Sequence, residues 1–306
     1  MLPATNAAVR ASASLRKAVF SGSIQGHPGN VGSMKKALTA AVLLAVLVAP
    51  IANAAPFDDA VAAFKRGDYA TALTLFTPLA QHGNAIAQYN LGAMYLGGIG
   101  VTQNFTEAAK WYRLAAEQGN ATAQRDLGMI YDKGLGVTQN FTEAEKWYRL
   151  SAEQGNAIAQ DNLGVLYFNG EGVPQNYDEA LKWYQLSAQQ GYASAQYNLG
   201  VLYLEGKILP QSYAEAEKCF RLAAQQGDAD AQLNLGYNYL YGEGVPESYV
   251  KAHMWMNLAA SHTTSHGNKK YSDARNQVAA KMTPAQIAEA QALAAKCQAS
   301  NYNNCD

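Results

Sequence analysis

The stretch from Gly83 to Gln118 is followed at once by near copies of itself that begin at Gly119, Gly155, Gly191 and Gly227, so a fixed period of 36 residues governs most of the chain. Periodicity of this length marks one supersecondary unit stacked many times over, because a single unit cannot bury its apolar face alone. The copies span 83–118, 119–154, 155–190, 191–226 and 227–262. A core that grows by adding units is expected, rather than one central core enclosing the whole chain.

The copies can be compared position by position. With each initial glycine as position one, positions three, five, six, nine, ten and thirteen are Ala, Ala, Gln, Leu, Gly and Tyr in every copy. At 100° per residue, positions five, nine, thirteen and sixteen fall on one side of a first helix, and the changing positions four, seven, eleven and fourteen fall on the other. The constant side is expected to pack and the changing side to be free. Position ten (Gly92, Gly128, Gly164, Gly200, Gly236) lies in mid-helix, where glycine costs about 1 kcal/mol against alanine, so a close helix approach is expected there. Glycines at positions sixteen and eighteen end the helix, except that Ile208 replaces the second one in the fourth copy.

A second helix opens with capping-box pairs, Asn104 and Glu107, Asn140 and Glu143, Asn176 and Glu179, Ser212 and Glu215. Its expected apolar face carries Phe or Tyr at position 23, Ala at 26, Trp and Tyr at 29 and 30 and Leu at 32. Trp111, Trp147, Trp183 and Trp255 recur in step with the repeat and read as core rather than as a cofactor box. Cys219 takes the tryptophan position in the fourth copy and reads as a buried thiol.

The pattern A-x-A-Q-x-N-L-G-x-x-Y-x-x-G-x-G-V, followed by A-x-K-W-Y-x-L-A-A, resembles the Sel-one-like repeat family, a branch of the tetratricopeptide-like superfamily, over residues 83–262. The resemblance implies an all-α fold, an α/α superhelical solenoid of helix pairs. It also implies a scaffold or adaptor that binds a protein or peptide partner, with exported bacterial members and with no reaction or cofactor.

Outside the copies, 55–82 reads as a helical hairpin broken at Gly67-Asp68, an atypical cap of the kind that ends repeat arrays. Residues 34–54 read as a cleavable signal peptide: Met34-Lys35-Lys36, an apolar run from Ala37 to Val48, and Ala52-Asn53-Ala54 before the expected cut. The apolar run is shorter than the roughly 20 residues a bilayer needs, so no stable membrane insertion is expected after cleavage, and the destination is the periplasm or the exterior. Residues 1–33 carry Arg10, Arg16 and Lys17 among Ser and Ala, which also fits an organelle transit peptide. The reading adopted is an upstream extension of a chain that starts at Met34. The 263–306 segment is expected to form a helical cap and tail, its second helix opening at Thr283-Pro284-Ala285-Gln286. Cys297 and Cys305 are expected to close a disulfide in an oxidising compartment.

A net charge of -1 with 15% charged residues provides no field to hold nucleic acid. Ser248 and Lys251 match the S-x-x-K nucleophile motif, but Ser248 is also a helix-capping position and no K-T-G or S-D-N partner occurs. His262 and His266 stand four apart in a segment that reads as a loop, unsuited to holding a metal. No catalytic, cofactor or metal residue is assigned.

The family resemblance turns first helices toward a concave surface, which the changing positions would line. The candidate partner-binding residues are Tyr89, Leu96, Arg125, Met129, Asp132, Asp161, Phe168, Tyr197, Leu204, Leu233 and Tyr237, together with position-eight asparagines Asn90, Asn162, Asn198 and Asn234. Two readings stay open: an exposed groove, or side chains half-buried between adjacent first helices. The asparagines either hold a peptide backbone or bond neighbouring helices. The expected function is an exported, non-enzymatic scaffold. The alternatives are a cell-wall-associated enzyme or binder of the penicillin-recognising type, and a structural spacer.

Overall fold

A computed structural model of the protein describes residues 54–261, 269–302 and 305. The signal-peptide and upstream-extension readings, and the His262 and His266 pair, lie outside the described residues. The described chain is all helical, with the elements α1 Ala54–Lys65, α2 Tyr69–Gln81, α3 Ala85–Gly97, α4 Phe105–Glu117, α5 Ala121–Lys133, α6 Phe141–Glu153 and α7 Ala157–Asn169. There follow α8 Tyr177–Gln189, α9 Ala193–Glu205, α10 Tyr213–Ala224, α11 Ala229–Tyr241, α12 Tyr249–Ser261, α13 Lys269–Ala279 and α14 Pro284–Ala299. The α/α solenoid class expected from the sequence is borne out. The described residues form two compact units, 54–183 and 184–305, which part within α8.

Each helix is bounded by its own sequence. Asn84, Asn120, Asn156 and Asp228 cap the first helices by accepting the N–H three residues on. The fourth copy has Tyr192 there and lacks a side-chain cap bond. The second helices are capped by Asn104, Asn140, Asn176 and Ser212, whose side chains accept from the N–H groups of Glu107, Glu143, Glu179 and Glu215. First helices stop at a glycine in the left-handed region, as at Gly98 with φ 63°.

Four contacts recur between or within repeats and explain much of the pattern. The mid-helix glycines lie under aromatic or thioether side chains of the paired second helix: a Cβ on Gly128 would stand 2.6 Å from Tyr148, and one on Gly92, Gly200 or Gly236 would crowd Tyr112, Phe220 or Met256. The glycine at position eighteen lies on the backbone of the previous second helix, where a Cβ on Gly136 would be 2.5 Å from Phe105, and its carbonyl accepts from Thr106 Oγ1 at 3.1 Å. Position six is a buried glutamine. Gln88 Nε2 donates to the Ala80 carbonyl at 3.0 Å, ending the previous helix, while Gln88 Oε1 accepts from Gln118 at 2.7 Å. Gln124 with Gln154 and Gln196 with Gln226 repeat the pairing. Finally, Arg113 donates to the Tyr131 hydroxyl, Arg149 to Tyr167, and Arg221 to Tyr239 at 2.9 Å.

The tryptophans are buried as expected. Two readings of the second helix need correction. Leu114, Leu150, Leu186 and Leu222 at position 32 are exposed, between 37% and 51%, because the buried set of each helix ends on the adjacent alanines, such as Ala115 and Ala116. Cys219 is only half-buried, with burial and then Glu215 pushing its thiol up to about 11.

At the C-terminal end α12 packs against α11, α13 and α14. Thr283 and Gln286 close a reciprocal capping box at the start of α14. Lys270 and the Tyr271 hydroxyl on α13 both bond Asp230 on α11. Cys297, fully buried on α14, forms a disulfide with Cys305 across a left-handed turn at Asn301 and Tyr302.

Candidate functional site

The changing side of the first helices is mostly packed rather than free, which corrects the expectation of an exposed row. In the 54–183 unit Tyr89, Asn90, Leu96 and Asp161 are buried. In the 184–305 unit Asn198, Leu204, Leu233, Asn234 and Tyr237 are buried as well. The physical reason is that side chains at position seven reach the next first helix. Burial raises the Tyr89 hydroxyl, and the Asp126 and Arg125 charges on α5 act on it. Half-buried Tyr197 lies in the same way beside Asp230 and Asn234 of α11 and its capping residue Asp228. Asn234 Nδ2 donates to the Asp230 carbonyl of its own helix at 2.9 Å.

Of the candidate residues in the 54–183 unit, Arg125, Met129, Asp132, Asn162 and Phe168 remain accessible, all half-buried. Arg125 Nε donates to Asp126 Oδ1 at 2.7 Å, and its Nη2 lies 2.5 Å from the same oxygen. Asp126 stands where the other copies carry asparagine, and it is buried. Burial raises its carboxyl above the ordinary value while Arg125 works the other way. Burial also penalises the Arg125 charge, but Asp126 more than offsets this and the guanidinium is held charged. Tyr112 and Tyr148 border the pair, both raised first by burial and then by nearby carboxylates. Lys133 neutralises Asp132 at 3.0 Å, and Asp132 accepts a long 3.4 Å bond from the Tyr148 hydroxyl. Phe168 stacks obliquely on exposed Tyr177 with ring centroids 5.4 Å apart. Tyr177 escaped the sequence reading because position 23 is elsewhere a packing residue.

The set is chemically mixed, with one guanidinium, one carboxylate, one amide, one thioether and an aromatic pair. Such a surface suits recognition rather than bond-making. The Ser248 hydroxyl accepts from the Lys251 backbone N–H at 3.2 Å and so caps α12, while Lys251 Nζ lies over the Tyr239 ring. Among the described residues no group of three or more His, Cys, Asp or Glu is placed to hold a metal. No described helix is long and apolar enough to cross a membrane.

Comparison with known families matches the Sel1 repeat model five times, at residues 85–120, 121–156, 157–192, 193–228 and 229–263. The chain belongs to the Sel1 repeat family. Proteins of this family are generally protein-interaction scaffolds. A solved Sel1 repeat protein from Oxalobacter formigenes is 32% identical, with a TM-score of 0.68 over 78% of this chain and 97% of that one. A protective antigen present in uropathogenic Escherichia coli strains is 29% identical, with a TM-score of 0.53 over 90% of this chain and 63% of that one. Comparison with curated proteins finds no match.

Proposed function

We propose that this Sel1 repeat protein is an exported, non-enzymatic scaffold that takes a protein or peptide partner on the first helices of its second and third repeats. The observation that carries the reading is the accessibility of Arg125, Met129, Asp132, Asn162 and Phe168 at positions whose counterparts elsewhere are largely packed away. Arg125, Met129, Asp132 and Phe168 stand at positions that differ from copy to copy, so the repeat packing does not dictate them. The Arg125 and Asp126 pair is positioned before any partner arrives, which lowers the ordering cost of binding. Export rests on the Met34 to Ala54 leader, and it is checked by sequencing the mature N-terminus from a periplasmic fraction, expected to begin at Ala55.

The binding face is tested by crosslinking in the periplasm, pulldown and mass spectrometry, followed by the double variant Met129→Lys with Phe168→Ala. Loss of at least tenfold in captured partner is expected, about 1.4 kcal/mol or more, with helicity retained. Unchanged capture of the same partner would sink this face as the site. The penicillin-recognising alternative has little support, because the Ser248 hydroxyl is engaged in capping α12.

A further inference from the structure

The second helices carry a feature that the first-helix site does not use. Position 32 is leucine in all five repeats, yet Leu114, Leu150, Leu186 and Leu222 are exposed while Leu258 is 1% exposed. In the 184–305 unit the contrast has a visible cause. The main neighbours of α10, which carries Leu222, are α9 and α11, whereas α12, which carries Leu258, has α14 as an additional neighbour. The residues that α14 buries are Ala290, Ala294 and Cys297, spaced i, i+4 and i+7, and they share one apolar cluster with Leu258 and Trp255. The fifth repeat thus contains an example of what covers a position-32 leucine: an amphipathic helix with a stripe of small residues.

We propose that the uncovered leucines are docking sites for an amphipathic helix of another protein that presents small apolar residues at i, i+4 and i+7. On α12 a single helix is the platform for α14. Leu186 and Leu222 in the 184–305 unit, and Leu114 and Leu150 in the 54–183 unit, stand at the position equivalent to Leu258. Leu222 is the most open, at 51%, because Cys219 replaces the tryptophan that stands three residues before each of the other leucines. The flanks are polar and of both signs, with Lys218 paired to Glu215 and Arg221 to Glu217, which favours a helix with a mixed polar face over an anionic surface. This chain's own α14 is already engaged on α12, so the occupant comes from elsewhere.

The test uses the full chain and, as the probe, a synthetic peptide of residues 283–300 carrying Cys297→Ala, followed by anisotropy. Saturable binding below about 1 mM is expected, weakened about tenfold by Leu222→Lys and retained by Leu222→Met. Because Leu222 is exposed, the thermal melt of both variants should match that of the parent, which separates lost docking from lost folding. Absence of saturable binding, or equal binding by the lysine variant, overturns the proposal. So does sedimentation showing that the chain self-associates and that Leu222→Lys dissolves the association, for then a second copy is the occupant.

Discussion

At the scale of the residue, glycine and histidine show how burial decides meaning. Gly128 could be read as a penalised helix residue, and the sequence already implied a close approach. The Tyr148 ring that fills the place of its Cβ became visible only in three dimensions. Gly128→Ala should therefore destabilise the protein by about 1 to 3 kcal/mol through overpacking, despite the better helix propensity of alanine, and urea unfolding measures the change. His253 was not singled out by its sequence position. It is buried on α12, and burial first, then the nearby Arg275 charge, lowers its pKa below 6.5. The unfolded chain then binds the proton more readily than the folded one, so stability is present above pH 6.5 and falls as the pH drops through and below that value. Melting temperature measured from pH 7.5 to 5 should decline, and His253→Met should flatten that slope.

At the scale of the element, boundaries were legible because they are local chemistry. Asn104, Asn140, Asn176 and Ser212 cap helices in the structure with the same three-residue reach that the sequence suggests. Faces were less legible. The rule that variable positions point to solvent failed for Tyr89, Leu96 and Leu233, because a first helix in a stack also meets its successor, and variable side chains can pack there in complementary pairs. The converse error fell on Leu114 and its equivalents, where an invariant apolar residue faces out. Invariance among duplicated copies therefore does not by itself distinguish packing from display. The tail of α14 has its own test. Cys305→Ala should remove about 2.5 kcal/mol on the chain-entropy model of so short a loop, read from chemical unfolding under non-reducing conditions.

At the scale of the whole molecule, the period specifies a construction rule. Each repeat meets the preceding helix pair through its position-six glutamine, which donates to that pair's last alanine carbonyl, and in all copies but the fourth through its position-eighteen glycine, so a repeat should be removable without disturbing the rest. Deletion of residues 121–156 joins Asn120 to Ala157 in register. It should leave mean helicity per residue unchanged while lowering the melting temperature, because one interface is lost. Circular dichroism decides this, and a loss of helicity beyond the deleted segment would contradict it. The proposed partner-binding set was only partly legible for the same reason: the period describes what copies share, whereas Arg125, Asp126 and Phe168 are places where they differ.

The buried glutamine contacts also have a direction. Gln118 donates to Gln88, and Gln88 donates back to Ala80, so each bond in this series points toward the N-terminus. An interface with such polarity joins head to tail, and a head-to-tail interface has no internal reason to stop; left open, it generates filaments. The α1–α2 hairpin and the α13–α14 pair can thus be understood as two dissimilar plugs, one for a surface that receives donors and one for a surface that supplies them. A chain lacking α1 and α2 should therefore associate end to end, which sedimentation measures.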